Sequence, residues 1–397
     1  MSTKQSGKVT ICAVGDIVPN REKPEELFAL ASSALKEGDI VFGQLESVIS
    51  DVKSYMDSSG WGPGPAHPRN VKALTSGGFN LISFASNNCM DWGPDAFLDT
   101  IRRLKAAGIQ VIGGGSDIVE ARKPAIFDIN GTKVGFLTCN TICFKGYAAR
   151  ENRPGCAPMR AWTAYTQIEP EQPGTPCLVG TWARKDDLDE LCKSIRELRP
   201  QVDVLALSIH WGIHMLPETI AMYQAEIAHT VIDEGVDIIF GHHPHILKGV
   251  EVYKGKVIFY SLNMFGFDWP PGMTTEMFDD VCKRYNYLRV PECPNFVFER
   301  AALKTIMAKI IIKEGKIERV AFRPALVNER NQAEILSSKR QEFKEVVNYM
   351  KEITDGEGLN AKFTVEGDEV VITTSGPSTR KWEPEIFLPV CEPPRNS

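Results

Sequence analysis

Five short apolar runs, each of strand length, close on a residue whose side chain can bind a metal ion. Residues 9–14 lead to Gly15-Asp16, residues 40–42 run on to Gln44-Leu45-Glu46, and residues 80–85 end in Ser86-Asn87-Asn88-Cys89. Residues 203–209 end at His210, and residues 236–240 end in Gly241-His242-His243-Pro244-His245, which holds three of the seven histidines. In open α/β sheets, ligands bind beyond the carboxyl ends of the strands. Parallel neighbours of this kind would bring all five termini to one edge, and that requirement points to a layered α/β fold.

The intervening segments agree. Residues 24–36 predict a helix, with Leu27, Phe28, Leu30, Ala31 and Leu35 at helical spacing. Pro94 opens a second at its first turn, and residues 185–198 and 220–234 predict two more, the last stopped by Gly235. Asn130-Gly131, Lys254-Gly255 and Glu314-Gly315 each join two apolar runs as hairpin turns. Residues 334–352 predict a surface helix and residues 363–374 a short β segment. Repeated strand–helix alternation is the signature of a layered sheet. Residues 1–330 are expected to form one domain, with a C-terminal helix and short β extension (331–397) packed on it. The Gly-, Pro- and Ser-rich stretch 54–68 predicts a long functional loop, and the aperiodic stretches 142–182 and 266–298 predict insertions that shape a pocket.

Composition narrows the function. In 397 residues, 43% apolar and 24% charged content is ordinary for a globular chain. A net charge of −6 without a basic stripe argues against a nucleic-acid partner. An acidic polymer would be repelled unless local Lys/Arg or bound metal offset the charge. No run reaches the ~18 apolar residues of a membrane span. The polar start leads into a strand too short for a signal segment, so the cytoplasm is the expected location. The ten cysteines are scattered, and Cys139 with Cys143 has no second pair to complete a zinc knuckle. Reduced, mostly buried thiols are expected.

Taken singly, Asp16 reads as a turn or cap residue, Asn87-Asn88 as turn chemistry and His210 as a core histidine. Their shared position at strand ends argues otherwise. Mixed Asp, Glu, Asn and His suits two borderline-hard divalent ions such as Mn, Zn, Fe or Co, with Glu46 as a bridge. Two such ions ~3.5–4 Å apart generate hydroxide and clamp a charged transition state.

Gly15-Asp16, Gln44-Leu45-Glu46, residues 86–93, His210-Trp211-Gly212 and residues 241–245 together resemble the successive motifs of the CapA family. These are bacterial capsule or poly-γ-glutamate synthesis proteins on the calcineurin-like metallophosphoesterase fold. Tyr260-Ser261-Leu262 resembles the strand that follows, and the resemblance covers roughly residues 8–325. It implies a four-layer α/β sandwich with loop insertions and a two-metal site. It implies Asp16, Glu46, Asn88, His210, His243 and His245 as ligands, with His242 behind them or facing substrate.

Three departures bear on chemistry. Cys89 stands where the family usually has the histidine that, in the wider phosphoesterases, protonates the leaving oxygen. It is either a changed acid/base or a small apolar filler. His214 stands where the pattern His-Trp-Gly-x-Glu would put a glutamate, and residues 262–265 replace Leu-Gly-Asn-Phe. Asp91 keeps the family's position, where it either orients its neighbours or caps a helix. The expected function is a cytoplasmic binuclear-metal hydrolase using metal-bound hydroxide on an ester, phosphoester or amide of a small-molecule or peptide substrate. Cys89, Asp91, His242 and His214 are its candidate catalytic residues. A metal-assisted acid/base epimerase on a peptide or amino acid, and an accessory role in poly-γ-glutamate or capsule synthesis, are the alternatives.

Overall fold

The computed structural model describes residues 7–52, 65–269, 273–285 and 287–386. Much of the long loop predicted at 54–68 lies outside them. Two mixed sheets form the body. In the larger, of ten strands, Val9–Val18, Ile40–Leu45, Leu81–Ser83 and Gln110–Ile112 run parallel. Lys304–Lys313, Lys316–Val327 and the hairpin of Ala361–Glu366 with Glu369–Thr374 extend it antiparallel. The six-stranded sheet has Thr132–Asn140, Val204–His210, Ile238–His242 and Lys256–Phe259 parallel at its centre. Ala125–Ile129 and Val250–Tyr253 flank it antiparallel.

The sheets meet face to face. Phe42 of the first packs on Phe136 and Phe240 of the second, with ring centroids 5.8 and 5.9 Å apart. Along Val9–Val18 the side chains alternate between two cores. Val9, Ile11 and Ala13 face the other sheet, while Cys12 and Val14 face the helices Val71–Gly77 and Gly93–Ala106. Burial on both faces is why this strand reads as a continuous apolar run rather than an alternating one. Lys185–Leu198 and Met222–Asp233 cover the outer face of the second sheet through Leu191, Ile195, Ile227 and Val231. A mixed α/β architecture built on more than one sheet is the outcome.

Hairpins form at Asn130-Gly131, Lys254-Gly255 and Glu314-Gly315, and all six residues have positive φ. That pair of left-handed residues is what a two-residue turn between twisted strands requires. Two helix expectations are corrected. Residues 24–36 form a 3-10 turn, Pro24–Glu26, and a short helix, Ser32–Leu35, with the amides of Leu27, Ala29 and Ala31 bonding three residues back rather than four. At 334–352 the chain first pairs as the strand Ala333–Ile335, and the helix is Gln341–Gly356. Phe343, Val346, Met350 and Ile353 of that helix join the core between the sheets. The stretch 142–182 contains the paired strands Ala161–Gln167 and Cys177–Ala183, and 266–298 contains the helix Thr275–Tyr285.

Candidate metal centre

The parallel strands of both sheets deliver polar termini to one place. Asp16 lies inside Val9–Val18, at a register shift, rather than just past the strand as the sequence suggests. Its amide donates to the Asn263 carbonyl at 2.8 Å, and a Cβ on Gly15 would lie 1.7 Å from that same oxygen. Only glycine permits that approach. Glu46 follows Ile40–Leu45, and its amide donates to the Ile17 carbonyl at 2.9 Å. His210 ends Val204–His210, in register with Asn140 and His242. His243 and His245 have φ of 95° and 53°. Left-handed backbone at two bulky residues costs energy and persists where the surroundings hold it, which is common at functional sites.

These side chains converge. His245 Nε2 is 2.8 Å from Glu46 Oε2, and His210 Nε2 is 3.4 Å from Glu46 Oε1. His210 Nδ1 and His242 Nδ1 each lie 3.8 Å from Asp16 Oδ1. His243 Nδ1 is 3.2 Å from His210 Nε2, and the His243 amide donates to Asp16 Oδ2 at 2.9 Å. Donor atoms of Glu46, His210 and His243 all lie within 4.8 Å of one another, as do those of Asp16, Glu46 and His245. Glu46 is common to both groups.

Of the two asparagines, Asn87 stands nearer the histidines. Asn87 Oδ1 lies 2.7 Å from His210 Nε2 and 3.0 Å from His243 Nδ1, whereas Asn88 Oδ1 accepts from Asn87 Nδ2 at 2.9 Å. Of the six ligands the resemblance implies, the structure brings together Asp16, Glu46, His210, His243 and His245, and sets Asn88 behind Asn87. His242 is fully buried, with its ring against Phe42. His214 stacks on His243, with centroids 3.9 Å apart. Asp91 accepts from the Tyr147 hydroxyl at 2.9 Å. Cys89 is sealed in the core and neighbours Cys156.

The electrostatics suit a cation. Burial raises the Asp16 carboxyl well above the usual carboxylate range, and the nearby Glu46 charge adds to the rise. Burial also opposes ionisation of Glu46, but His245 and His210 overcome it and hold that carboxyl low. Burial keeps His242 and His243 neutral, and it depresses His214 to about 3. A neutral imidazole offers a lone pair. Asp16 Oδ1, Glu46 Oε1 and His210 Nδ1 are buried without a hydrogen-bond partner among the described residues. Such orphaned atoms are costly, and a bound cation would satisfy the two carboxylate oxygens and the imidazole nitrogen alike. The residues present therefore fit a metal.

Sequence reasoning missed Lys248. Its side chain is buried, its ammonium donates to the carbonyls of Leu216 and Thr219, and burial lowers it to about 7. A single lysine inside the apolar run 246–250 was the available signal.

Comparison with known proteins agrees with the motifs. Residues 10–268 match the family described as bacterial capsule synthesis protein PGA_cap. The PGA biosynthesis protein CapA of Bacillus subtilis is 28% identical over 264 residues, covering 64% of this chain and 62% of that protein. The capsule biosynthesis protein CapA of Bacillus anthracis is 28% identical over 275 residues, 67% of this chain and 61% of that one. A probable polyglutamine synthesis accessory protein of Mycobacterium tuberculosis is 30% identical over 198 residues, 49% of this chain and 47% of that one. The match thus spans at most about three fifths of these relatives' length. Among the described residues no helix is long and apolar enough to cross a membrane.

Proposed function

The chain belongs to the bacterial capsule synthesis protein family PGA_cap, and on that basis we propose that it is a metal-dependent hydrolase of an ester, phosphoester or amide bond. The relatives' names supply the setting, synthesis of poly-γ-glutamate or capsule. The observation that carries the reading is the sharing of buried Glu46 by two donor groups, each tight enough to hold an ion. The fold that goes with it is a four-layer α/β sandwich of the metallophosphoesterase type. Two facing sheets, with helices on the outer face of each, support it. Residues 1–330 would form the working unit, with the C-terminal extension packed on it through the helix Gln341–Gly356.

Asp16, Glu46, His210, His243 and His245 would hold two divalent cations, with Asn87 as the sixth donor in place of Asn88 and Glu46 shared by the two donor groups. Bound there, Mn, Zn, Fe or Co would supply Lewis-acid polarisation and a nucleophile at neutral pH. The chain's own residues position and shield. The His243 amide fixes the orientation of Asp16. The His214 ring covers His243, and Phe267 and Phe298 pack edge-on to His245 at 5.5 and 4.9 Å, limiting water on that side. The Cys89 thiol is pushed up by burial, and the neighbouring Cys156 adds to the rise, so it is not assigned leaving-group protonation.

The test is metal analysis of purified protein, followed by assay of the Mn- and Zn-loaded forms on a phosphomonoester, a phosphodiester and a γ-glutamyl anilide. Bound metal with turnover of at least one substrate is expected, abolished in Asp16→Ala. No bound metal after reconstitution would sink the proposal. The burial of Cys89 favours one second reading, an accessory role without hydrolysis. Metal-loaded protein that is inert on all three substrates yet retains poly-γ-glutamate would select it.

A further inference from the structure

Three cysteines, Cys143 and Cys156 from one segment and Cys89 from another, meet beside the candidate centre. Cys156, in the short strand Gly155–Cys156, has its sulfur 3.8 Å from that of Cys143. Asn140 Nδ2 approaches the Cys156 sulfur at 3.6 Å, and Cys89 neighbours it as well. The Cys143 thiol donates to the Asn140 carbonyl at 3.2 Å. Cys143 is only partly buried, whereas Cys89 and Cys156 are sealed.

We propose that Cys143 and Cys156 are a redox pair that closes to a reversible disulfide, with Cys143, the less buried residue of the two, as the point of entry. The backbone around both residues is held in place. Cys156 is anchored on both sides, its amide donating to the Tyr147 carbonyl and its carbonyl accepting from Ala149, each at 2.9 Å. The turn carrying Cys143 is fixed by the Ile142 amide on Asn140 Oδ1 at 2.8 Å. The two sulfurs are in contact and must close to about 2.0 Å. Cys89 is excluded as the entry point because no oxidant can reach it.

The oxidant is a small disulfide of the glutathione class. The Cys143 thiol loses its proton and attacks one sulfur of that disulfide, forming a mixed disulfide and releasing one small thiol. Cys156, as thiolate, then attacks the Cys143 sulfur and displaces the second small thiol. Two electrons pass from the protein thiols to the small disulfide, and the two thiol protons end on the released thiols. The sulfur–sulfur contact, with burial, holds the Cys143 thiol well above its ordinary value, which slows the first step, while the contacts from Cys143, Cys89 and Asn140 hold Cys156 below its own, which favours the second. The pair lies close to the centre in the backbone. Thr141, in the same turn as Cys143, donates its amide to the His210 carbonyl at 2.9 Å.

Reduced full-length protein is incubated with oxidised glutathione, then denatured in acid and its free thiols blocked with N-ethylmaleimide in denaturant, and peptides are mapped by mass spectrometry without reductant. Wild type and Cys89→Ser are expected to lose two blockable thiols and gain a Cys143–Cys156 cross-link that dithiothreitol removes. Cys143→Ser is expected to give no internal cross-link. A glutathione adduct that stays on Cys143, a Cys89–Cys156 link, or thiols that remain fully blockable would overturn the proposal. The readout on wild type is independent of metal content and of hydrolysis.

Discussion

Asn87, rather than Asn88, sets its side-chain oxygen 2.7 Å from His210 Nε2 and 3.0 Å from His243 Nδ1. Adjacent residues in a turn project in different directions, so only one of the two can face the histidines. Asn87→Ala is therefore expected to lower metal affinity by about tenfold or more, the loss of one ligand-level contact worth ~1.4 kcal/mol. Asn88→Ala should change it much less. Titration of both apo variants with Mn and Zn by calorimetry measures the difference, and equal losses would contradict the assignment.

Glu46 serves both donor groups. Glu46→Gln keeps the shape but removes the charge that offsets two cations, so bound metal should fall to one ion per chain or fewer. A ligand at about 100 times its dissociation constant stabilises the native state by ~2.7 kcal/mol. Saturating Mn should accordingly raise the melting temperature of wild type and scarcely move that of Glu46→Gln. Chelator treatment of metal-loaded wild type should reproduce the lower value. A similar metal-induced shift in both proteins would refute the bridging role.

Gly15→Ala should be among the most damaging single-methyl changes in the chain. Its Cβ would fall 1.7 Å from the Asn263 carbonyl oxygen, where the backbone of another strand cannot yield without breaking pairing. A cost of about 3 kcal/mol or more is expected. Gly255→Ala is the comparison, because its φ is +77° but nothing lies within 4 Å of the added methyl. That change carries only the left-handed penalty of about 1–2 kcal/mol. Urea midpoints of the two variants against wild type give the ranking.

Lys248 makes stability depend on pH. Its ammonium titrates near 10.5 when unfolded and near 7 when folded, because burial opposes the charge more than Glu357 supports it. Between those values the unfolded chain binds more protons, so this lysine opposes folding fully below pH 7 and progressively less as pH rises toward 10.5. The slope is at most about 1.4 kcal/mol per pH unit. The stability of Lys248→Met relative to wild type should thus be most favourable at pH 6 and decline by pH 9. Loss of the hydrogen bonds to Leu216 and Thr219 shifts both values equally. A pH-independent difference would show that the ammonium is solvated.

What the sequence made legible follows from how it is buried. Strands such as Val9–Val18 and Val204–His210 are covered on both faces, so they stand out as unbroken apolar runs, and their polar ends stand out with them. Hairpins were legible because Asn-Gly, Lys-Gly and Glu-Gly pairs supply the two left-handed residues the turns need. The continuous helix expected at 24–36 is broken into turns although Leu27, Phe28, Ala31 and Leu35 are buried, because apolar spacing does not distinguish bonding three residues back from bonding four. The choice between Asn87 and Asn88 depends on turn direction, which spacing does not encode. The meeting of Cys143 with Cys156 depends on how the chain between them folds back, and that of Cys89 with Cys156 on packing of segments remote in sequence.

The candidate centre draws its oxygens and its nitrogens from opposite halves of the molecule. Asp16, Glu46 and Asn87 come from the ten-stranded sheet and the turns that follow its strands, while His210, His243 and His245 come from the six-stranded one. Neither half alone can assemble the cluster, so it can exist only after the two have docked in register. A cation held there would tie the two sheets together at their polar edge, adding a charged clasp to the apolar core that already joins them.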